Sequence, residues 1–124
     1  LGFKNADSIV LYEEFDDAAD ALYISTDDGS RGYHGLITDL LERELERTGF
    51  DIIYTCGPRP MINKVVKMAL SRKIPCQVSL EERMGCGVGA CLVCACKTRL
   101  GDEWEYSHIC RDGPVFWGDE LILE

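Results

Sequence analysis

No stretch of the 124 residues approaches the ~20 consecutive apolar positions a membrane-spanning helix needs, and no charged-then-apolar signal segment opens the chain. Basic residues are scarce. Thirteen Lys and Arg stand against 22 Asp and Glu, a net charge of -9, so the summed field repels phosphate backbones and anionic membrane surfaces. Nucleic acid and membrane are therefore not expected as partners. Histidine occurs twice, as His34 in a glycine loop and His108 in a predicted strand. Neither has a Ser, Cys or carboxylate arranged as a catalytic partner, so both read as structural. Repeats and low-complexity runs are absent. What remains, 46% hydrophobic and 28% charged, is the composition of a soluble globular protein with room for one domain and a small appended module.

Cysteine, by contrast, is plentiful. There are seven, an odd number, and five crowd between Cys86 and Cys110. That crowding suits a metal site in a reducing, cytoplasmic setting better than secreted disulfides. The opening residues LGFKNADS read as the tail of a strand running into a helix cap, and with no initiator Met they suggest a fragment of something longer.

Hydrophobic spacing predicts alternating elements. Residues 8 to 22 read as a short helix with Ser8 as cap, Ala21 to Thr26 as a buried strand, and DDGSRGYHG (27 to 35) as a loop. Leu36, Ile37, Leu40, Leu41 and Leu45 mark a helix, with Gly49 placed as its C-terminal cap. Asp51 to Thr55 reads as a strand, Met61 to Leu70 as an amphipathic helix, and Ile74 to Leu80 as a third strand. Such alternation implies a parallel sheet with helices on both faces, half of a doubly wound α/β fold. After Glu82 the chain turns Gly- and Cys-rich, then gives short strands around Cys94 to Thr98, Trp104 to Ile109 and Leu121 to Leu123. The expected division is residues 1–80, a partial nucleotide-binding domain, which the resemblance named below makes an NAD-binding one, and residues 81–124, a small β-rich module.

In GCGVGACLVCAC, Cys86, Cys91 and Cys94 have C-x4-C-x2-C spacing, with Cys110 following after fifteen further residues. These are the ligand intervals of plant-type [2Fe-2S] ferredoxins. Four thiolates must surround two irons and two sulfides, so the chain has to curl tightly. Gly85, Gly87, Gly89 and Ala90 permit the curl and let backbone N–H groups approach sulfur. The competing structural zinc site pairs two C-x2-C knuckles, and only one is present. Cys96, two residues beyond Cys94, is the one competitor for a ligand role.

Thr55-Cys56-Gly57-Pro58 sits where a strand gives way to a helix, the end at which doubly wound sheets bind ligands. An ordinary strand–helix turn reads equally well. Asp27 and Asp28, past another strand end, have the chemistry to accept hydrogen bonds from a ribose; solvated turn residues are the simpler reading.

On YTCGPRPM, EERMGCGVGACLVCACKT and YSHICRDGPVF, the chain resembles the electron-transfer subunit of class 1B, NAD-dependent dihydroorotate dehydrogenases, in the ferredoxin-reductase superfamily. The resemblance implies an oxidoreductase component of pyrimidine biosynthesis. Electrons would come from the FMN of a separate dihydroorotate-oxidising subunit, pass a [2Fe-2S] cluster on Cys86, Cys91, Cys94 and Cys110, and reach FAD and NAD+. It implies FAD and NAD sites in the intact subunit that are incomplete in this stretch, with Cys56-Gly57-Pro58 near nicotinamide and flavin and Asp27 to Gly32 facing the adenosine. A related flavin and iron–sulfur reductase subunit serving ferredoxin or sulfur compounds, and a zinc-stabilised interaction module, are the other readings. Trp104, Tyr106, Val115, Phe116 and Trp117 are too many large side chains for a module of ~40 residues to bury, so some are expected to be exposed for docking.

Overall fold

The computed structural model describes residues 1–123, which form two compact units, Leu1–Gly49 and Phe50–Glu124. Both mix helices with short strands.

In the first unit, β1 (Gly2–Phe3), β2 (Ser25–Thr26) and β3 (Tyr33–His34) pair in parallel in that order. Ser25 and Thr26 are fully buried, and Thr26 spends its hydroxyl on the loop: Oγ1 donates to the Arg31 carbonyl and accepts from the Arg31 N–H. The loop folds back tightly at Gly32, whose φ is 72° and where a Cβ would stand 2.2 Å from the Ile24 carbonyl oxygen, so no side chain fits. Helix α1 covers Tyr12–Ala18, and α2, Ile37–Arg47, buries Thr38, Leu40 and Leu45.

Several expectations are corrected here. The helix anticipated over residues 8 to 22 is a 3-10 turn, Ala6–Ser8, followed by the shorter α1. Asn5 caps the turn, its Oδ1 accepting both the N–H and the hydroxyl of Ser8, so Ser8 is the capped residue and not the cap. Only Ser25–Thr26 of the expected strand pairs, because both partner strands are two residues long. A strand lies inside the expected loop, at Tyr33–His34. Gly49 is not a left-handed cap; α2 ends at Thr48, in extended conformation, with its N–H on the Glu44 carbonyl.

In the second unit, β4 (Ile53–Cys56), α3 (Arg59–Ser71) and β5 (Cys76–Ser79) make one parallel strand–helix–strand crossover. Ile62, Val65, Val66, Met68 and Ala69 give α3 a buried face, and on β4 and β5 Ile53, Cys76 and Val78 are buried, with Leu80 just beyond. Burying one such aliphatic side chain contributes roughly 1.5–3 kcal/mol, so this face is the unit's main source of stability. Strands β6 (Ala95–Leu100) and β7 (Glu103–His108) form an antiparallel hairpin around Gly101, whose φ is 61°. A single helical turn, α4 (Ile109–Asp112), follows. Strand β8 (Val115–Trp117) then returns to pair antiparallel with β5, giving the order β4-β5-β8. The strand expected at Leu121 to Leu123 is one bridge, Thr98 to Leu121. By packing, the chain divides between Gly49 and Phe50, whereas the division by cofactor was drawn at residue 80; β8 explains the difference, since it follows the cysteine segment yet pairs with β5. Among the described residues, no helix is long and apolar enough to cross a membrane.

Strand alternation on β8 separates neighbours. Phe116, opposite the fully buried Val78, is 8% exposed, while Val115 is 50% exposed. Phe116 is thus a core residue and does not belong to a docking face; Trp104, Tyr106, Val115 and Trp117 are exposed, in line with the expectation that some of the five would be. Phe116→Ala is expected to lower stability by about 3–5 kcal/mol and Val115→Ala by less than about 1 kcal/mol. Urea midpoints at constant m-value check this, and equal midpoints for the two variants would refute the assignment.

Candidate metal centre

The cysteine segment leaves β5 at Leu80 and rejoins ordered pairing at Ala95. Gly87 and Gly89 take φ values of 70° and 78°, which turn the loop back on itself. The turn aims backbone donors at one sulfur: the N–H groups of Ala90 and Val88 lie 3.2 and 3.5 Å from Cys86 Sγ. Gly85 keeps the space tight, since a Cβ there would sit 3.1 Å from Cys91 Sγ.

Cys110 is brought in by the hairpin. The register pairs Ala95 with His108, and the Ile109 N–H donates to the Cys94 carbonyl at 3.1 Å, so the residues flanking the hairpin's base are neighbours. The fifteen residues between Cys94 and Cys110 are the two strands, their turn and Ile109, which the spacing alone does not disclose.

The four sulfurs lie together, Cys91 beside Cys86 and Cys94 beside Cys110, with Cys86 also near enough to act on Cys110. Val88 and Cys91 N–H groups, then the Cys91 thiol and the Ala90 N–H, draw the Cys86 thiol down to about 6. The neighbouring Cys94 thiol pushes Cys110 upward, with the Gly89 N–H opposing it. Cys94 is 1% exposed, Cys91 and Cys110 are half-buried, and Cys86 is exposed. Among the described residues, no three Cys, His, Asp or Glu side chains converge on a single point able to hold one ion. Four thiols in two pairs fit a binuclear centre with two thiolates per iron better than one tetrahedral zinc, which needs all four around one point.

The other cysteines are placed differently. Cys96 lies on β6 opposite Ser107, buried inside the hairpin, and burial raises its pKa. Cys76 is buried on β5 and likewise raised by burial, whereas Cys56 is exposed at the end of β4. An apolar collar surrounds the loop: Val88 is 71% exposed and Leu92 68%, with Met84 and Val93 also open. On the hairpin, Trp104 and Tyr106 pack edge to face at 5.1 Å.

The Thr55–Pro58 segment is the turn between β4 and α3. Gly57 adopts a φ of 151°, Pro58 is the extended residue before α3, and Pro60 occupies its first turn. Arg59, at the start of α3, forms an ion pair with Glu82, tying this turn to the chain that leads into the cysteine loop. In the first unit, Asp27 and Asp28 follow β2 directly and are exposed. Asp28 Oδ1 accepts the Ser30 hydroxyl at 2.6 Å and its N–H at 2.9 Å, and these bonds lower its pKa. Asp28 thus already stabilises its own turn.

Sequence reasoning passed over Arg111 and Asp112. Asp112 is drawn down to about 2 by the Arg111 guanidinium and the His108 N–H. Their position directly after Cys110 was the available signal.

Residues 81–122 match the family described as the iron-sulfur cluster binding domain of dihydroorotate dehydrogenase B. Across 99% of its length the chain is 46% identical to the dihydroorotate dehydrogenase B (NAD(+)) electron transfer subunit of Bacillus caldolyticus, covering 46% of that protein. It is 42% identical to that of Caldanaerobacter subterraneus subsp. tengcongensis, covering 48%. Over 98% of the chain, a probable counterpart in Methanopyrus kandleri is 40% identical and covered to 44%. The chain therefore spans just under half the length of these relatives. Among solved structures, that of an NADH-dependent reduced ferredoxin-NADP oxidoreductase, studied for flavin-based electron bifurcation, aligns with 99% of the chain and 43% of its own at 30% identity and a TM-score of 0.79.

In the metal-free, reduced chain, alkylation by iodoacetamide is expected to mark Cys86 first, with half its maximal rate at about pH 6, because the thiolate is the reacting form. Buried Cys76 should react last. Mass mapping across pH 5 to 9 checks the order; Cys76 labelling ahead of Cys86 would contradict it.

Proposed function

We propose, from a chain homologous over nearly its whole length to the electron transfer subunits of NAD-dependent dihydroorotate dehydrogenase B, that residues 81–124 form a [2Fe-2S] module in an electron-transfer component. The observation that carries this reading is the plant-type ferredoxin spacing of Cys86, Cys91, Cys94 and Cys110, joined to a hairpin whose base brings Cys110 to Cys94 and a glycine loop whose amides bond Cys86 Sγ. Cys86 with Cys91 would hold one iron, and Cys94 with Cys110 the other. When bound, the cluster supplies one-electron transfer between centres that exchange electrons in pairs. The Val88 and Ala90 N–H groups hydrogen-bond Cys86 Sγ, which withdraws charge from that sulfur. Buried Cys94 and its half-buried partner Cys110 sit deeper than Cys86, so the centre has a protein-facing and a solvent-facing side.

The route follows from the homology. Dihydroorotate would be oxidised on an FMN-bearing partner subunit, with FAD and finally NAD+ as acceptors, in cytoplasmic pyrimidine (UMP) synthesis. Residues 1–80 read as part of a doubly wound NAD-binding domain. Within it, Thr55, Cys56, Gly57 and Pro58 would line the nicotinamide side, where the missing side chain at Gly57 allows close approach. Asp27, with Asp28 holding the turn, would meet the ribose.

A second reading, a reductase component serving ferredoxin, is favoured by the fold shared with the ferredoxin-NADP oxidoreductase. The higher identity to the dihydroorotate dehydrogenase subunits ranks it second. Reduction of the loaded chain in the presence of the FMN subunit and dihydroorotate separates the two.

The anaerobically prepared chain is expected to be brown, to carry about two irons, and to bleach on reduction. Cys86→Ser, Cys91→Ser, Cys94→Ser and Cys110→Ser should each lose most of the iron, whereas Cys56→Ser, Cys76→Ser and Cys96→Ser should keep it. Iron analysis and visible spectra decide the matter; a colourless, zinc-loaded parent would sink the reading.

A further inference from the structure

Arg111 follows Cys110 in the chain, and its side chain runs across the opposite arm of the cysteine loop. A Cβ built on Gly89 would stand 2.9 Å from Arg111 Cδ and 3.3 Å from its Cβ, so only glycine lets the guanidinium stem lie there. Asp112 holds the stem in place by a two-pronged bond: Arg111 Nε donates to Oδ1 at 2.8 Å and Nη2 to Oδ2 at 3.1 Å. The same Oδ2 accepts the His108 N–H at 2.7 Å. One carboxylate therefore closes the turn that carries Cys110 and orients the cation beside it. Ile109, 1% exposed, fixes the turn from below.

Two ferric ions, two sulfides and four thiolates sum to a doubly negative cluster, and reduction by one electron adds a third negative charge. A fixed cation at the ligand loop therefore favours the reduced form, and a carboxylate paired to it subtracts from that effect. In a chain of net charge -9, such a cation opposes the prevailing field.

We propose that Arg111 is a positioning residue for the iron–sulfur centre: held by Asp112, it clasps the Gly89 arm to the Cys110 arm and raises the reduction potential, with Asp112 setting how much of its charge is felt. This rests on the iron–sulfur reading above.

The test is an anaerobic, spectroelectrochemical titration of the whole cluster-loaded chain, following the visible bands and the EPR signal of the reduced state. In R111Q, the reduced-to-oxidised ratio at the parent's midpoint potential should fall about three- to tenfold, equivalent to about 28–59 mV for one electron. R111K should stay within about twofold of the parent. D112N, whose one amide oxygen can take the place of Oδ2 and accept the His108 N–H, should move the ratio upward. The R111Q shift should shrink between 0.05 and 0.5 M salt, which a purely structural effect would not do. R111Q and D112N moving the ratio in the same direction, or both leaving it unchanged, would overturn the proposal. So would loss of iron from both R111Q and R111K with D112N at the parent's potential. Should R111Q alone lose iron, retention by R111K together with the upward shift in D112N sustains it. A parent chain that binds no cluster overturns the functional reading instead, and is seen before any variant is made.

Discussion

The pairing of Ser79 with Val115, where β5 meets β8, is the constraint on which the candidate site depends. Both ends of the segment from Leu80 to Pro114 are held there, and the Leu80 N–H donates to the Pro114 carbonyl at 3.0 Å. The whole cysteine region is thus one long excursion between two hydrogen-bonded strands of a single sheet. Its entropy of closure is met by a core that exists for other reasons, the packing of α3 on β4 and β5. Gly113 makes the return possible: a Cβ there would lie 2.4 Å from the Phe116 ring. Phe116 in turn joins the core that anchors the strand.

Inside that excursion a second closure, the β6–β7 hairpin, brings Cys110 to Cys94. Its register is set by burial on one face: Cys96 and Thr98 point inward, and Thr98 shares a 2.7 Å hydroxyl contact with Ser107. A slip of one residue would turn both outward and carry Cys110 away from Cys94. The Leu121 bridge to Thr98 and the Ile122 N–H on the Lys97 carbonyl add a third strand-like support to the same edge. The geometry of the proposed ligands therefore depends on residues that touch no sulfur.

How much of this was legible beforehand follows from the range of each interaction. The α2 and α3 helices, the β4 and β5 strands and the hairpin strands were readable because each is dictated by local periodicity. The cysteine spacing was readable for a similar reason, since three of the four residues lie within nine positions of one another. Features decided by distant partners were not. Asn5 displaced Ser8 as cap through its side-chain acceptor, and β8 paired back across thirty-five residues of intervening chain, taking Phe116 into the core. Val115-Phe116-Trp117 carries no alternation of polarity, so nothing in those three residues said which would face inward. Arg111 and Asp112 were invisible as a pair because adjacent charges in sequence are usually both solvated.

Seven cysteines of one chemical type acquire different properties from their surroundings alone. Burial raises the pKa of Cys76 and, against the opposing charge of Arg59, that of Cys96, which favours the thiol in these small apolar fillers of a sheet and a hairpin. Converging N–H groups favour the thiolate at Cys86, and the soft metal ligand is the thiolate. The glycines make the difference: φ values of 70° and 78° at Gly87 and Gly89 point successive amides inward, where β6 points its amides along the sheet. Cys96 lies two residues from Cys94, yet the hairpin register sets it opposite Ser107, away from the base where the Ile109 N–H on the Cys94 carbonyl brings Cys110 to Cys94. Proximity to the other sulfurs is therefore insufficient to make Cys96 a ligand. Its place in the hairpin register separates it from the four sulfurs proposed to hold iron.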